Sequence, residues 1–156
     1  MKSIFPAALA VIGACALFTF STIDQSHAGA GAARALERLE GLKEGTRRAN
    51  RLMGVNTRRV PWCGHAVKYA VQKAGKKPAK HYAAARSWES WGRRVSKSSI
   101  RRGDVIVFRS GYSRSGRHVA VATAVKGNKV KVCGGNTRDR VHCGWRPKSR
   151  IITVRR

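Results

Sequence analysis

Acidic residues are scarce: 7 Asp and Glu stand against 33 Lys and Arg, for a formal charge of +26 at neutral pH. The basic residues run through the whole chain rather than gathering in a tail, so its surface must seek polyanions, nucleic acid being one class. No paired Cys-x-x-Cys and no His-rich spacing occurs, which argues against a zinc site; no metal and no cofactor is expected. No internal repeat and no long low-complexity segment is present. Length sets a further bound: 156 residues can bury the core of one domain but hardly of two.

Only one long apolar run exists, Ile4 to Phe20, and it sits behind Lys2. With Ser26-His27-Ala28 as a small-x-small cleavage site before Gly29, residues 1–28 read as a secretory signal peptide. An uncleaved anchor is disfavoured, because the run is barely long enough to span and contains Pro6. Ile12-Gly13-Ala14-Cys15 offers a third reading, a lipoprotein box with Cys15 as acceptor, but Ala16 to Phe20 stay apolar where a lipoprotein turns polar. The expected organisation is therefore a signal over 1–28 and one domain over 29–156. Its first part, 29–53, is a helical extension, and no membrane span is left once the signal is removed. Export to the periplasm or the extracellular space changes the available polyanions to wall teichoic acids, lipopolysaccharide, anionic lipid heads and the carboxylates of peptidoglycan peptides.

Export also changes how the cysteines read. After cleavage Cys63, Cys133 and Cys143 remain, and an odd count in an oxidising compartment points to one bridge and one free thiol. Cys133 and Cys143 lie in one strand-turn-strand stretch and form the natural pair. Cys63 is left free.

The chain is organised around Arg59 to Ala70. Pro61 can begin a helix but not continue one. Val67, Ala70, Val71 and Ala74 then recur at helical spacing until Gly75. Cys63 falls in the first turn of that helix, where unpaired N–H groups and the dipole favour an anion and lower a thiol pKa. From position alone, a nucleophile and a small core residue are equally good readings.

Before this helix, Ala32 to Met53 reads as an amphipathic helix broken near Gly41 or Gly45, packed rather than lying on a membrane. After it, His81 to Trp91 reads as a helix ended by Gly92. Trp88 and Trp91 share one face, as core or, less often, as a stacking surface for a sugar or base. Gly103-Asp104 opens the β-prone run Val105 to Phe108. A Gly/Ser-rich loop, Ser110 to Arg117, leads to His118 and a buried-looking strand through Val125. Gly127-Asn128 reads as a hairpin turn, Lys129 to Cys133 as a half-exposed strand, Gly134-Gly135-Asn136 as a bend. Val141 to Cys143 and Arg150 to Val154 read as two further strands. Helices followed by an antiparallel meander make an α+β fold.

A cysteine nucleophile needs a base, and the base an orienting group. His65 is two residues past Cys63 and points about 200° away on a helix. His81 reads as a solvated helix end, and His142 as an exposed neighbour of the bridge. His118 starts a buried strand directly after a glycine-containing loop, where a base is held rigidly yet accessibly. If the strands on either side of Gly127-Asn128 pair, Asn136 falls near His118. Its amide oxygen could then fix the imidazole tautomer. On its own, Asn136 reads as a plain turn residue.

Pro61-Trp62-Cys63, Ala85-Arg86-Ser87-Trp88 with Trp91-Gly92, Ile100-x-x-Gly103-Asp104-Val105-Ile106-Val107-Phe108, His118-Val119-Ala120-Val121 and Gly134-Gly135-Asn136 occur in that order. Together, from about Gly41 to Ile152, they resemble the papain-like cell-wall peptidase superfamily of NlpC and CHAP type, in a small bacterial and phage branch with the Ala-Arg-Ser-Trp block. The resemblance implies a papain-like α+β fold, with the nucleophile at a helix N-terminus packed on an antiparallel sheet. It implies metal-free hydrolysis of amide bonds in peptidoglycan, by an endopeptidase or amidase. Cys63 would be nucleophile, His118 base and Asn136 orienter, with Trp62 and Arg86 as candidate substrate contacts. Gly64 and His65 depart from the small apolar residues that usually follow the cysteine, and neither so high a charge nor a Cys133/Cys143 pair is a general family feature. The rival expectation, from a different class, is a non-catalytic cationic protein that binds envelope polymer or nucleic acid on the same fold.

Overall fold

The structure, a computed structural model, describes residues 23–112 and 115–156, with side chains before Ala30 left aside. The apolar run, Cys15 and most of the proposed signal lie outside the described residues. The backbone from Ile23 belongs to the first helix, α1 (Ile23–Glu37). Among the described residues no helix is long and apolar enough to cross a membrane.

The amphipathic stretch 32–53 is divided as its glycines predict. α1 stops at Glu37, and Gly41 (φ 83°) and Gly45 (φ 70°) turn the chain into α2 (Arg47–Met53). Thr46 caps α2 by accepting from the Ala49 N–H at 3.1 Å. The central helix, α3 (Cys63–Lys73), begins two residues after Pro61 and ends just before Gly75, which takes φ 73°. Ala66, Val67, Ala70 and Val71 make its buried face, against α1 and the sheet.

The helix expected over 81–91 does not form. Only Ala85–Glu89 coil, as a 3-10 turn, with Trp88 fully buried and Trp91 meeting it edge-on at 5.5 Å. Both indole N–H groups are used internally, donating to the Tyr82 and Lys77 carbonyls at 2.9 and 2.8 Å. Tertiary packing of the two rings therefore replaces helical hydrogen bonds, and the core reading of this pair holds.

Six strands form one antiparallel sheet: β1 (Arg94–Val95), β2 (Val105–Arg109), β3 (Arg117–Lys126), β4 (Lys129–Thr137), β5 (Arg140–Pro147) and β6 (Ile151–Arg155), in the order β1-β6-β2-β3-β4-β5. The short β1 has no periodic signal in two residues and was not expected. Gly127, at φ 53°, makes the β3–β4 turn as its Gly-Asn pair requires. The expected bend at Gly134-Gly135-Asn136 is instead a continuation of β4 to Thr137, with an irregularity in its pairing to β5 and Asn136 at φ 58°. Alternation along the strands makes two cores. Val105, Val107, Val119, Val121 and Cys133 face α1 and α3. Ile106, Phe108, Ala120, Ala122, Val130 and Val132 share the opposite face with Val95, Ile151 and Val154.

Two tertiary ties hold strands of the sheet to one another. Cys133 and Cys143 are register partners on β4 and β5 and are joined by a disulfide, the pairing expected, with Cα atoms 4.0 Å apart. Asp104, 2% exposed, binds the Arg156 guanidinium through both oxygens at 2.8 and 2.9 Å and accepts the Arg101 N–H at 2.8 Å. The Gly-Asp step thus locks the C-terminal strand to the start of β2.

Candidate active site

Among the described residues Cys63 is the free cysteine, and it opens α3, so its thiol sits where helix N–H groups lack backbone partners. Trp62, the residue before the helix, supplies no side-chain cap. The N–H groups of Cys63, Gly64 and Val119 turn toward the sulfur and favour thiolate, but burial outweighs them and raises the Cys63 pKa. The expected lowering of this pKa is therefore reversed: desolvation of a nearly buried sulfur exceeds what three N–H groups return. At rest Cys63 carries its proton.

Gly64 has a geometric cause. A Cβ there would come within 2.0 Å of the Tyr82 carbonyl oxygen and 2.6 Å of that of Ala83. The N-terminus of α3 is pressed onto the 82–83 backbone, and only glycine permits the approach. His65 is turned away from the thiol, as its spacing predicts. It is buried, its Nδ1 lies 3.3 Å from the Met53 carbonyl, and its ring meets Tyr82 edge-on at 5.3 Å. Burial lowers its pKa first, with Lys68 adding to the effect. His65 is a packing residue between α2 and the 80–84 turn.

Val119, whose N–H faces the Cys63 sulfur, directly follows His118 on β3. His118 pairs in register with Phe108 of β2. Its pKa is lowered to about 4, by burial first and then by the charge of Arg146, so the imidazole is neutral near pH 7. A neutral imidazole can accept a proton, though one whose conjugate acid titrates near 4 is a weaker base than an ordinary histidine. Its Nε2 lies 3.3 Å from Thr137 Oγ1. No hydrogen bond joins His118 to Asn136 among the described residues. The continuation of β4 brings Thr137 to the imidazole, whereas a bend would have presented Asn136. A strand signal running on through two glycines is weak in sequence, which is why Thr137 was missed.

Gly134 and Gly135 let β4 pass between two neighbours. A Cβ on Gly134 would stand 2.9 Å from Ala120 Cβ and 3.2 Å from His118 Nε2; one on Gly135 would stand 2.4 Å from the Trp62 ring. Trp62 therefore wedges the start of α3 against the end of β4. It is fully buried, with its indole N–H directed at Glu44 Oε2 (3.4 Å). A side chain with no exposed surface cannot touch a polymer, so the reading of Trp62 as a substrate contact is corrected to a positioning role. Arg86 is exposed on the 3-10 turn, and His81 is exposed in the turn before it. His142 is half-buried beside the bridge. No group of His, Cys, Asp and Glu able to hold a metal occurs among the described residues.

The fold and this site can be set beside known proteins. No curated protein matches the sequence. Among solved structures, NlpC1 from Trichomonas vaginalis superposes over 84% of this chain and 44% of its own, with TM-score 0.55 and 18% identity. A protein similar to a lipoprotein of the NLP/P60 family from Staphylococcus aureus superposes over 83% of this chain and 41% of its own, with TM-score 0.51 and 18% identity. At that identity the likeness is one of fold, and it makes the α+β arrangement papain-like; the chain spans less than half the length of either structure. The CHAP domain family model matches residues 55–136, just over half the chain, running from the loop before Cys63 through His118 to Asn136. The chain accordingly belongs to the CHAP domain family.

Proposed function

We propose that this protein is an exported cysteine hydrolase that cleaves amide bonds in peptidoglycan peptides, with Cys63 as nucleophile and His118 as general base. The observation that carries the reading is the junction of α3 and β3: the free thiol of the described residues opens a helix and faces the N–H of Val119, the residue after His118, whose imidazole is neutral. Thr137 Oγ1 lies 3.3 Å from His118 Nε2 and holds the imidazole at the end of β4; the reading requires the imidazole to reach the thiol in the substrate complex, since no contact joins Cys63 to His118 among the described residues. In the reaction His118 takes the Cys63 proton as the sulfur attacks the amide carbonyl. The Cys63 and Gly64 N–H groups, aimed at the site by the uncapped helix start, stabilise the charge that develops. The imidazolium then protonates the leaving amine, and water, activated by the same imidazole, hydrolyses the thioester.

Export by the residue 1–28 signal would deliver the enzyme to its polymer. There the excess of cations holds it on acidic wall material, an attraction that weakens with salt as the screening length falls from about 10 Å at 0.1 M to about 3 Å at 1 M. Asn136, next to Thr137 in sequence, is retained as the alternative orienting group. The deciding experiment is digestion of purified sacculi by the mature protein and by Cys63→Ala, with released fragments read by mass. Fragments from the parent alone establish the hydrolase and identify the bond. Intact sacculi with both proteins, the thiol being reduced, would leave a cationic binding protein on this fold.

A further inference from the structure

The three-stranded end of the sheet beyond the helices carries a surface that the catalytic site does not use. Pairing places Ala124, Lys131 and Trp145 side by side across β3, β4 and β5, and Lys126, Lys129 and Pro147 in the next row. Residues directly opposite on paired strands point to one face, so these six side chains share the face that, further along β4, packs Cys133 against α1 and α3. Here no helix of the described residues covers it. Trp145 is 45% exposed, and Lys126, Lys129 and Pro147 are exposed. Adjacent strands lie about 4.8 Å apart and alternate residues about 6.8 Å, so the indole and three ammonium groups occupy a patch on the order of 10 Å on a side.

The surroundings leave these cations free. The three salt bridges of the described residues join Glu37 to Arg102, Glu89 to Arg117 and Asp104 to Arg156, all elsewhere. From Val105 to the C-terminus the sequence holds a single acid, Asp139. Among the described residues no hydrogen bond engages the indole N–H of Trp145 or the ammonium groups of the three lysines. An exposed indole among unpaired cations on a flat sheet is complementary to a ring that carries or adjoins negative charge.

We infer that this face is a second binding surface, separate from the Cys63 site, which takes an acidic glycan strand of the cell wall: a sugar ring lies on Trp145 while the strand's anionic groups meet Lys126, Lys129 and Lys131. The inference rests on the hydrolase reading for the identity of the polymer. Two observations favour a glycan over nucleic acid. The patch offers one stacking ring, not the series on which successive bases stack. Its cations are all lysines in a chain where arginine outnumbers lysine, and lysine supplies a point charge without the planar fork that suits phosphate and base edges.

The test is co-sedimentation with purified peptidoglycan sacculi at 0.1 M salt, using the whole protein carrying Cys63→Ala so that the polymer survives. Trp145→Ala and the pair Lys129→Gln/Lys131→Gln are each expected to weaken binding at least five-fold. The pair Lys77→Gln/Lys80→Gln removes the same charge elsewhere and should stay within two-fold. Unchanged thermal melting shows that the variants fold. Equal losses from the two lysine pairs would reduce the effect to bulk charge and overturn the proposal. So would binding by Trp145→Ala within two-fold of its parent, or a loss confined to a single-stranded oligonucleotide with sacculus binding retained. Failure here is separable from failure of the hydrolase reading: an active-site-intact protein that binds through Trp145 but releases no fragments loses only the latter, and one that digests sacculi without using the patch loses only the former.

Discussion

His118 Nε2 lies 3.3 Å from Thr137 Oγ1, a contact that ties the imidazole on β3 to the end of β4. Thr137→Val should lower kcat/KM on wall fragments by roughly ten-fold, the scale of one lost orienting hydrogen bond, with most of the loss in kcat. Thr137→Ser should restore most of it. Asn136→Gly is the matching control, since it keeps the φ of 58° accessible while removing the amide. A larger loss from Asn136→Gly than from Thr137→Val would return the orienting role to Asn136.

The depressed pKa of His118 makes a pH prediction with a definite sign. Its folded value of about 4 lies below the ordinary 6.5, so the unfolded chain binds a proton that the folded one refuses between those values. The stabilisation is complete above pH 6.5 and is lost as pH falls toward 4. The lowered pKa of His65 acts in the same direction. His118 alone should contribute about 2 kcal/mol to the loss, after allowance for the part of the ring that water reaches. In Cys63→Ala, the His118 imidazole resonances should titrate near pH 4; a midpoint at 6.5 would contradict the desolvated, neutral imidazole.

These sites show which parts of the chain the sequence discloses. Pro61, the helical spacing of Val67 to Ala74 and Gly75 bound α3 because a helix repeats its signal over several turns. The hairpin at Gly127-Asn128 and the cysteine pair were legible for similar local reasons: one turn chemistry, one short spacing. Where tertiary contact overrides local preference, the sequence misleads. Residues 81–91 have helical spacing, yet the Trp88 and Trp91 indoles bond to loop carbonyls and leave only a 3-10 turn. Gly134-Gly135 has turn composition, yet its glycines are there so that Trp62 and His118 can approach a continuing strand. The Cys63 pKa was misjudged because a helix start is visible in sequence and the depth of the sulfur is not.

Gly64 tests the tight seat of α3. The 2.0 Å approach of a new Cβ to the Tyr82 oxygen involves backbone, which cannot swing aside. Gly64→Ala should destabilise the fold by about 2–3 kcal/mol despite the better helix propensity of alanine, and it should reduce activity further by displacing the Cys63 and Gly64 N–H groups. Urea unfolding measures the first and fragment release the second. A stability equal to that of the parent would mean that α3 shifts freely.

The Cys133–Cys143 bridge closes a loop with a sequence separation of 10, for which chain entropy gives roughly 3 kcal/mol. The Cys133→Ala/Cys143→Ala double variant should lose about that much. Its effect should also be felt at the base, because the bridge clamps β4 to β5 four residues before Thr137, and a frayed β4 would release Oγ1 from His118. Reduction of the bridge in the parent, with Cys63 already thiol in both states, should therefore lower kcat together with thermal stability, and reoxidation should restore both. If melting falls while kcat stays constant, the clamp serves the fold alone, and the His118–Thr137 contact is held by β3 and β4 without help from β5.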